Sequence, residues 1–433
     1  MLTGLVWAPA ASALTPVPVG TGVQCPNDVD NTPFGTEVGP EDFDWNGDGE
    51  FNQADGTPLD PNVVCRRIGA TDGYAKMADG TNQYLFGFMD LTGVPENEIV
   101  DRKFHAELPA PPINVKEGQE LYITLTNLAL LVRPDLADPH TIHFHGYPHA
   151  MAIFDGVPET SLSMPSGSSF TYYYKLNDAG TYPYHCHVEP VEHLELGMVG
   201  TIVVAPKQDG DDGSGTDLLT SNYAYNDGGL APDTRYDKSF LVHLHDIWPR
   251  GHFNLETVQE GTTEWVTYHP QYATLNGRTY PETLLPDNDP AMTNAAGAYF
   301  QDYIAQKQSG LIEATAGERV LLRVDNLSYR NHTLSIPGIP MHVVGEDARI
   351  LRGPTGQDMS YSKVAYNISA GKTTDIILDT TGLAPGTYFL YGRELFTQAG
   401  LSMEDYEATE AGDGTQFFGA ENRGGLITEI WIH

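Results

Sequence analysis

Basic residues are scarce in this chain of 433 amino acids, which has 23 lysines and arginines against 58 aspartates and glutamates. The formal net charge is -35, although charged residues make up only 19% of the sequence, which is less than in an average soluble protein. The imbalance therefore comes mainly from missing cations. Such a chain is a poor candidate for binding nucleic acid, which needs basic contacts to phosphates, or for docking on anionic membranes by charge.

Long apolar runs are also lacking. No stretch of about 20 apolar residues is present, so we predict no membrane-spanning helix. Residues 1–13 form a short apolar stretch that ends in small residues, as the end of a signal peptide does. We therefore expect a signal-peptide remnant here and an exported protein that is secreted, periplasmic or held at the outer cell surface.

Cysteine occurs only three times. Cys25 and Cys65 flank a short region rich in Gly and Asp, whereas Cys186 lies among histidines far along the chain. We predict that the first two form a disulfide, which agrees with an oxidising location, and that the third binds a metal. Two reduced thiols are the alternative for the first pair.

Helical periodicity is rare, and short alternating runs of β-branched and aromatic residues take its place. Residues 121–126 and 170–175 are examples, and Gly, Pro, Asn and Asp separate such runs. This pattern is typical of antiparallel β-sandwiches. A stretch from residue 207 that is rich in Asp, Gly, Ser and Asn predicts a linker.

Three segments recur in the same order on both sides of this linker. The matched pairs are residues 113–127 with 312–326, residues 140–146 with 332–338, and residues 180–187 with 386–393. The repeat predicts two copies of one sandwich. Apart from His332, the metal-binding residue types of the first copy are Ser, Pro, Tyr, Gly and Arg in the second.

Eight residues of the first copy that could bind a metal fall into two strings. They are His140, His143 and His145, followed by His185, Cys186, His187, His193 and Met198. Because side chains alternate along a strand, His185 and His187 point to one face and Cys186 points to the other. One sheet could therefore hold two different metal sites back to back.

Each face predicts its own chemistry. On the Cys186 side, a thiolate, two imidazoles and a thioether form the ligand set of a type 1, or blue, copper site; the predicted ligands are His140, Cys186, His193 and Met198. On the other side, four imidazoles suit copper, zinc or iron, and the neighbouring site favours copper; these are His143, His145, His185 and His187.

The two strings resemble the H-x-x-H-x-H-G and H-C-H motifs of the multicopper oxidases, which are built from cupredoxin domains. The resemblance covers roughly residues 104–433. It implies type 1 copper on the Cys186 side, type 2 copper at His143, and a type 3 pair at His145, His185 and His187. It also implies an oxidoreductase that takes single electrons from a small phenolic or metal-ion substrate and reduces dioxygen to water.

The second copy departs from the family pattern. A trinuclear cluster normally takes eight histidines from two cupredoxin domains, and the first domain of this chain offers four. We expect oligomerisation, as a dimer or a trimer, to supply the rest. His243, His245 and His252 are another possible source, although a place at the domain interface is the favoured explanation for them.

Two alternative functions stay open from the sequence. One is a blue copper electron-transfer protein whose histidine face is empty or binds a single metal. The other is an enzyme like the copper nitrite reductases, which have an Asp where this chain has His143 and no His that matches His187. Both differences favour the oxidase.

Several acidic residues lie near the two strings. Asp138 and Asp155 are candidates for supplying protons at the oxygen-reducing cluster, with turn or cap residues as the alternative. Three glutamates surround the type 1 loop and could attract a cationic reductant, although a solvated loop is the favoured explanation; they are Glu189, Glu192 and Glu195.

A separate pattern at residues 44–55 predicts calcium binding. Oxygen ligands occupy loop positions 1, 3, 5, 9 and 12 with Gly at position 6, which is the spacing of an EF-hand loop and is closest to the dockerin variant. The predicted ligands are Asp44, Asn46, Asp48, Glu50 through its carbonyl, Asn52 and Asp55. We expect a structural role for this loop.

The sequence therefore predicts an all-β protein with two Greek-key cupredoxin β-sandwich domains, preceded by a small N-terminal segment that carries the calcium loop. The predicted divisions are a signal remnant at 1–13, the N-terminal segment at 14–95, the copper domain at 96–206, a linker at 207–237 and the ligand-free domain at 238–433. Copper and calcium are the expected cofactors. Dioxygen and a small reductant are the expected partners, and no nucleic acid is expected.

Overall fold

The structure is a computed structural model, and it describes residues 25, 62–94, 96–209, 222–293, 303–393 and 425–433. These residues are mainly β-strands with two short α-helices and several 3₁₀ turns, in agreement with the predicted all-β class. In this part of the chain, no helix is long and apolar enough to cross a membrane. The predicted calcium loop and signal remnant lie outside the described residues.

The first domain consists of two four-stranded sheets. Its strands are β1 (Val63–Lys76), β2 (Asn82–Asp90), β3 (Ile113–Lys116), β4 (Glu120–Asn127), β5 (His143–Phe144), β6 (Ser169–Lys175), β7 (Gly180–His185) and β8 (Val199–Ala205), with helix α1 (Pro190–Glu195) before β8. One sheet has the order β2-β1-β4-β6, and the other has the order β3-β8-β7-β5. Apolar residues that alternate along the strands fill the space between them, as Leu121, Ile123 and Leu125 do from β4.

The second domain contains the remaining strands. They are β9 (Asn222–Tyr223), β10 (Arg235–Tyr236), β11 (Lys238–Ile247), β12 (Tyr272–Leu275), β13 (Ile312–Ala314), β14 (Arg319–Asn326), β15 (His332–Ser335), β16 (Met341–Glu346), β17 (Arg349–Ile350), β18 (Tyr361–Lys363), β19 (Ala365–Ile368), β20 (Lys372–Asp379), β21 (Gly386–Gly392) and β22 (Ile427–Ile432), with helix α2 (Pro249–Glu256) after β11. Its main sheets run β12-β11-β14-β20-β16-β17 and β13-β22-β21-β15-β19. Val320, Leu322 and Val324 of β14 lie in the core between them.

The predicted duplication is visible in the backbone contacts. Strands β1 and β4 pair in parallel in the first domain, and β11 and β14 pair in parallel in the second. The strands β4 and β14 end in equivalent asparagines. The side-chain amide of Asn127 donates to the carbonyls of Asp138 and Met164, and that of Asn326 donates to the carbonyls of Arg330 and Ile368. The same residue therefore holds the following loop in both copies.

Two predicted domain boundaries need correction. The first sandwich begins at β1, so residues 63–94 belong to it and not to a separate N-terminal segment. Part of the predicted linker is also folded, because β9 and β10 form a hairpin whose Tyr225 is buried against the second domain. Cys65 lies in β1 and forms a disulfide with Cys25.

A buried polar layer joins the two domains. Asp375 of β20 accepts hydrogen bonds from Thr181 of β7, at 2.7 Å, and from Tyr225, at 2.5 Å. The guanidinium of Arg323 lies 3.6 Å from the same carboxylate and is only 3% exposed. Beside this group, a Cβ on Gly180 would lie 2.5 Å from the Cβ of Ala348, so the absence of a side chain lets the two domains pack closely here.

We expect the Asp375→Ala variant to lose about 3–5 kcal/mol of unfolding free energy, because it leaves the buried Arg323 charge without its carboxylate. Chemical denaturation followed by tryptophan fluorescence measures this loss. A matched control is Lys175→Ala, which breaks the exposed Lys175–Glu120 ion pair of 3.1 Å and should cost less than about 1 kcal/mol. Equal losses in the two variants would contradict a structural role for the buried layer.

Candidate metal centre

The candidate site is built on the pairing of β5 with β7. His143 lies directly opposite His185 in this antiparallel pair, and Cys186 is the first residue after β7. Cys186 points into the core between the two sheets and is fully buried. His187 points away from the core and is partly exposed. The strand alternation predicted from the H-C-H motif is therefore present.

Cys186 lies at the centre of a buried ligand cluster. Its Sγ is 3.3 Å from Nδ1 of His193 and 3.9 Å from Nδ1 of His140. The side chains of all three residues are almost completely buried. Met198 is buried in the same core, its N–H donates to the carbonyl of His193, and its carbonyl accepts from the N–H of Cys186. Three of the predicted type 1 ligands are thus brought together, and Met198 lies in the same core with its backbone bonded to two of them.

Helix α1 accounts for the long spacing between Cys186 and His193. The chain turns at Glu189, which has a left-handed backbone with φ of 42°, and Pro190 then begins one and a half turns of helix. The N–H of His193 donates to the carbonyl of Glu189, which fixes the imidazole on the inner side of the helix. The extra residues therefore form a helical turn and leave the ligand in place.

Electrostatics favour a thiolate at this position. Burial by itself opposes ionisation, but His193 and His140 hold the pKa of the Cys186 thiol well below its usual range. Burial likewise opposes a charged imidazole, but the Cys186 thiolate and Asp138 raise the pKa of His193 to about 10. The thiolate therefore forms beside a protonated His193, which releases its proton when a metal binds. A thiolate with two imidazoles suits a soft metal ion, so these residues fit copper.

Four histidines form a second group on the other face of β7. Nδ1 of His145 is 3.0 Å from Nε2 of His185, and the ring of His143 is 5.2 Å from that of His185 and 5.1 Å from that of His187. One nitrogen from each of His143, His145 and His185 lies within 4.8 Å of the others, which is close enough for a shared metal. His187 stands at the edge of this group.

Burial disfavours the charged form of three of the four histidines on this face. Burial lowers the pKa of His185 to about 3, and it also lowers the pKa values of His143 and His145. Metals bind neutral imidazoles, so no proton has to leave these rings at neutral pH before a metal binds. The donor set fits copper, as four imidazoles do beside a type 1 site.

The two acidic proton-relay candidates lie at different clusters. The carbonyl of Asp155 is 2.5 Å from Nδ1 of His143, and its carboxylate is 3.5 Å from the same nitrogen, so Asp155 lies at the histidine face. Asp138 lies instead 3.9 Å from Nε2 of His193, on the Cys186 side. Burial alone would raise the pKa of Asp138, but His193 lowers it. The position of Asp138 contradicts its predicted role at the oxygen-reducing cluster.

The histidines of the second domain lie at the domain interface, as the favoured explanation held. Nδ1 of His243 is 2.5 Å from a carboxylate oxygen of Asp325. His245 and His252 reach Glu195 of α1, through its carbonyl at 3.1 Å and its carboxylate at 3.5 Å. His243 thus contacts its own domain, and Asp325 in turn accepts a hydrogen bond from Thr201 of the first domain. His245 and His252 contact the first domain directly through Glu195, and none of these contacts involves the four-histidine face.

Burial of His245 gives the apoprotein a pH-dependent stability. Burial and the neighbouring His243 lower the pKa of His245 from 6.5 to about 3. Its contribution is therefore complete above pH 6.5 and is lost as the pH falls toward 3, because only the unfolded chain takes up the proton. We expect His245→Asn to reduce the stability lost between pH 7 and pH 5 by about 2 kcal/mol in denaturant titrations. The exposed His269→Asn control should leave that pH dependence unchanged.

Comparison with known proteins identifies the family. Residues 101–209 and residues 238–410 each match a sequence profile described as multicopper oxidase. Together these matches cover more than half of the chain, which belongs to the multicopper oxidase family. The family implies copper as a cofactor.

Individual relatives agree with this assignment. Copper resistance protein A of Escherichia coli is 24% identical over 386 residues, covering 78% of this chain and 56% of the relative. The copper-containing nitrite reductase of Neisseria gonorrhoeae is 25% identical over 213 residues, covering 49% of this chain and 45% of the relative. The chain thus spans about half the length of the curated relatives it matches. The blue copper oxidase of Nitrosomonas europaea shares the fold, with a TM-score of 0.57, 20% identity and 86% coverage of both chains.

Sequence reasoning missed one residue that the structure places beside the type 1 loop. Glu195 was expected on a solvated loop, but it is 1% exposed and its carboxylate contacts the second domain. The only sequence signal is its position two residues after His193, on the inner side of the same short helix. Its partners lie more than fifty residues further along the chain.

Proposed function

We propose that this protein is an exported multicopper oxidase that couples one-electron oxidation of a small phenolic or metal-ion substrate to the reduction of dioxygen to water. The back-to-back arrangement around residues 185–187 carries the proposal, because a buried thiolate set and a four-histidine face lie on opposite sides of one strand end. Membership of the multicopper oxidase family supports it.

The two groups of side chains have distinct proposed roles. The type 1 copper ligands are His140, Cys186, His193 and Met198. On the other face, His143 is the proposed ligand of type 2 copper, and the type 3 pair is assigned to His145, His185 and His187. Copper bound at these groups would supply one-electron oxidation of the substrate and multi-electron reduction of dioxygen.

The chain itself links the two ligand groups covalently and orients their histidines. Cys186 is covalently joined to His185 and His187, so the peptide chain links the two ligand groups by the shortest possible path. Asp155 orients His143 through its carbonyl and places a carboxylate at the edge of the histidine face, where it could hold a proton. Asp138 orients His193 in the type 1 group.

Within the described residues, the only metal-binding group at the histidine face is formed by the first domain's own histidines. Gly371 of the second domain lies near His145, because a Cβ on it would be 3.8 Å from Cε1 of the imidazole. His143, His145 and His187 are partly exposed at this face. We propose that another copy of the chain, in a dimer or a trimer, completes the cluster.

Two further features belong to the proposal. The disulfide between Cys25 and Cys65 supports export to an oxidising location, where disulfides persist. The EF-hand-like spacing of residues 44–55 supports a structural calcium ion in the N-terminal segment.

The decisive experiment is the copper content per chain of copper-loaded protein, combined with visible and EPR spectra, native mass and oxygen uptake. The proposal expects a blue band, type 2 and type 3 signals, a mass above that of one chain, and oxygen uptake with phenols, Fe(II), Mn(II) or Cu(I). About one copper per chain with only a blue band would identify an electron-transfer protein instead.

Nitrite reduction is the second candidate, favoured by the similarity to the Neisseria nitrite reductases. Anaerobic assays with nitrite as the electron acceptor separate the two functions. Turnover with nitrite and none with dioxygen would replace the oxidase proposal, whereas His143 and His187 favour dioxygen.

A further inference from the structure

The type 1 loop is held in place by the second domain, which has lost its own metal ligands. The loop consists of residues 187–198 and carries His193 and Met198. Three of its contacts with the second domain are made by one carboxylate, that of Glu195, two residues after His193.

Both carboxylate oxygens of Glu195 have partners on the second domain. Oε1 accepts from the backbone N–H of Trp248 at 2.5 Å and lies 3.5 Å from Nε2 of His252. Oε2 accepts from the hydroxyl of Tyr268 at 2.8 Å. A buried carboxylate is tolerated only when such donors replace its hydration, and charged hydrogen bonds of this kind are the strong ones.

Backbone contacts hold the same loop from the same side. The carbonyl of Glu195 is 3.1 Å from Nε2 of His245. The hydroxyl of Tyr329 lies 2.8 Å from the carbonyl of Pro190 and 2.6 Å from that of Val191, at the start of α1. Both ends of α1 are therefore attached to the second domain, and His193 lies between them.

We infer that Glu195 is a positioning residue for the type 1 copper and that the second domain acts as its support. The inference rests on the proposed function, because it concerns the geometry of the proposed type 1 ligands. Glu195 touches neither the reacting atoms nor the thiolate. It acts by holding the loop whose His193 approaches Cys186 to 3.3 Å, because small displacements of a ligand change the spectrum and potential of a blue copper site.

Glu195→Gln tests this inference with little change in volume. The amide oxygen can accept from either Trp248 or Tyr268, but the NH₂ group of the amide then faces the other donor. We expect a shifted and weaker blue band, altered copper hyperfine splitting in EPR, and a changed reduction potential. In the apoprotein, hydrogen exchange at the amides of residues 193–198 should become about tenfold faster, since a charged hydrogen bond is lost.

Glu189→Gln is the matched control, since it removes the same charge from an exposed side chain on the same loop. It should leave both the spectra and the exchange rates unchanged. Tyr268→Phe removes only one donor and should shift both readouts in the same direction by a smaller amount, so the test stands even if Glu195→Gln folds poorly. Tyr388→Phe is the control for that variant, because Tyr388 is a half-buried tyrosine of the second domain whose hydroxyl donates to the carbonyl of Ala384, away from the type 1 loop.

The outcomes separate this inference from the proposed function. A blue wild-type protein whose spectra and loop exchange are unchanged in both Glu195→Gln and Tyr268→Phe overturns the inference alone. A wild-type protein that binds copper without any blue band overturns the type 1 assignment and this inference with it. Equal shifts in Glu189→Gln and Glu195→Gln would assign the effect to charge and would also overturn the positioning role.

Discussion

The Cys186→Ser variant will lose the intense blue absorption and, with it, turnover of every reductant that enters at the type 1 site. Blue colour requires a thiolate ligand, and Cys186 is the free cysteine of the described chain. A serine hydroxyl at this position stays protonated and is a hard, weak ligand for copper. We expect at least about a hundredfold loss of oxygen uptake together with the loss of about one copper per chain.

Met164→Leu is a suitable control for this variant. Met164 is also a buried sulfur residue, and its backbone exchanges two hydrogen bonds with that of His140, but its side chain is outside the predicted ligand set. Its blue band and turnover should match those of the wild type. If the Cys186→Ser protein were still blue, Cys186 would not be the thiolate ligand of the type 1 copper.

A His145→Ala and His185→Ala double variant will keep its blue band and lose the reduction of dioxygen. The imidazoles of these residues are 3.0 Å apart on the histidine face, whereas the thiolate cluster lies on the opposite side of the strand. The variant should therefore still accept one electron per chain from a reductant, and bleaching of the blue band measures this uptake. Oxygen uptake should fall by at least about a hundredfold, because each ligand removed from a metal site costs tenfold or more.

His149→Ala is the matched control, because His149 follows the same strand but is exposed and pairs with Asp178 at 2.8 Å. Normal oxygen uptake by the double variant would show that the histidine face is not where dioxygen reacts. After reduction, slow recovery of the blue band in air shows that the type 1 group accepts electrons but cannot pass them to dioxygen at the histidine face. A loss of electron uptake at the type 1 group would instead prevent the initial bleaching.

The site was largely predictable because strand alternation is a local property. The H-C-H motif determines which side of β7 each residue faces, so two separate ligand groups follow from the spacing alone. Asp138 was predicted at the histidine face because it lies just before the first histidine string, whereas the structure places it in the Cys186 group. Position in the sequence does not show which side of the sheet a loop residue will face.

The errors in the fold have the same physical origin. Strand β1 was assigned to a separate segment because its partner β4 begins at Glu120, far along the chain, and parallel pairing gives no local signal. Glu195 was expected in solvent for a similar reason. Its hydrogen-bond partners, Trp248 and Tyr268, belong to the other domain and are not recognisable from the residues around it.

The complete burial of the Cys186 cluster has a consequence for how the metal is inserted. His140, Cys186 and His193 are each at most 1% exposed, so no ligand atom is available to an ion arriving from solution. Copper can reach the thiolate only through a local opening of the structure around the cluster, such as separation of α1 from the second domain, or before the chain has folded. The rate of metal loading should therefore follow the rate of this opening and become independent of copper concentration once copper is abundant.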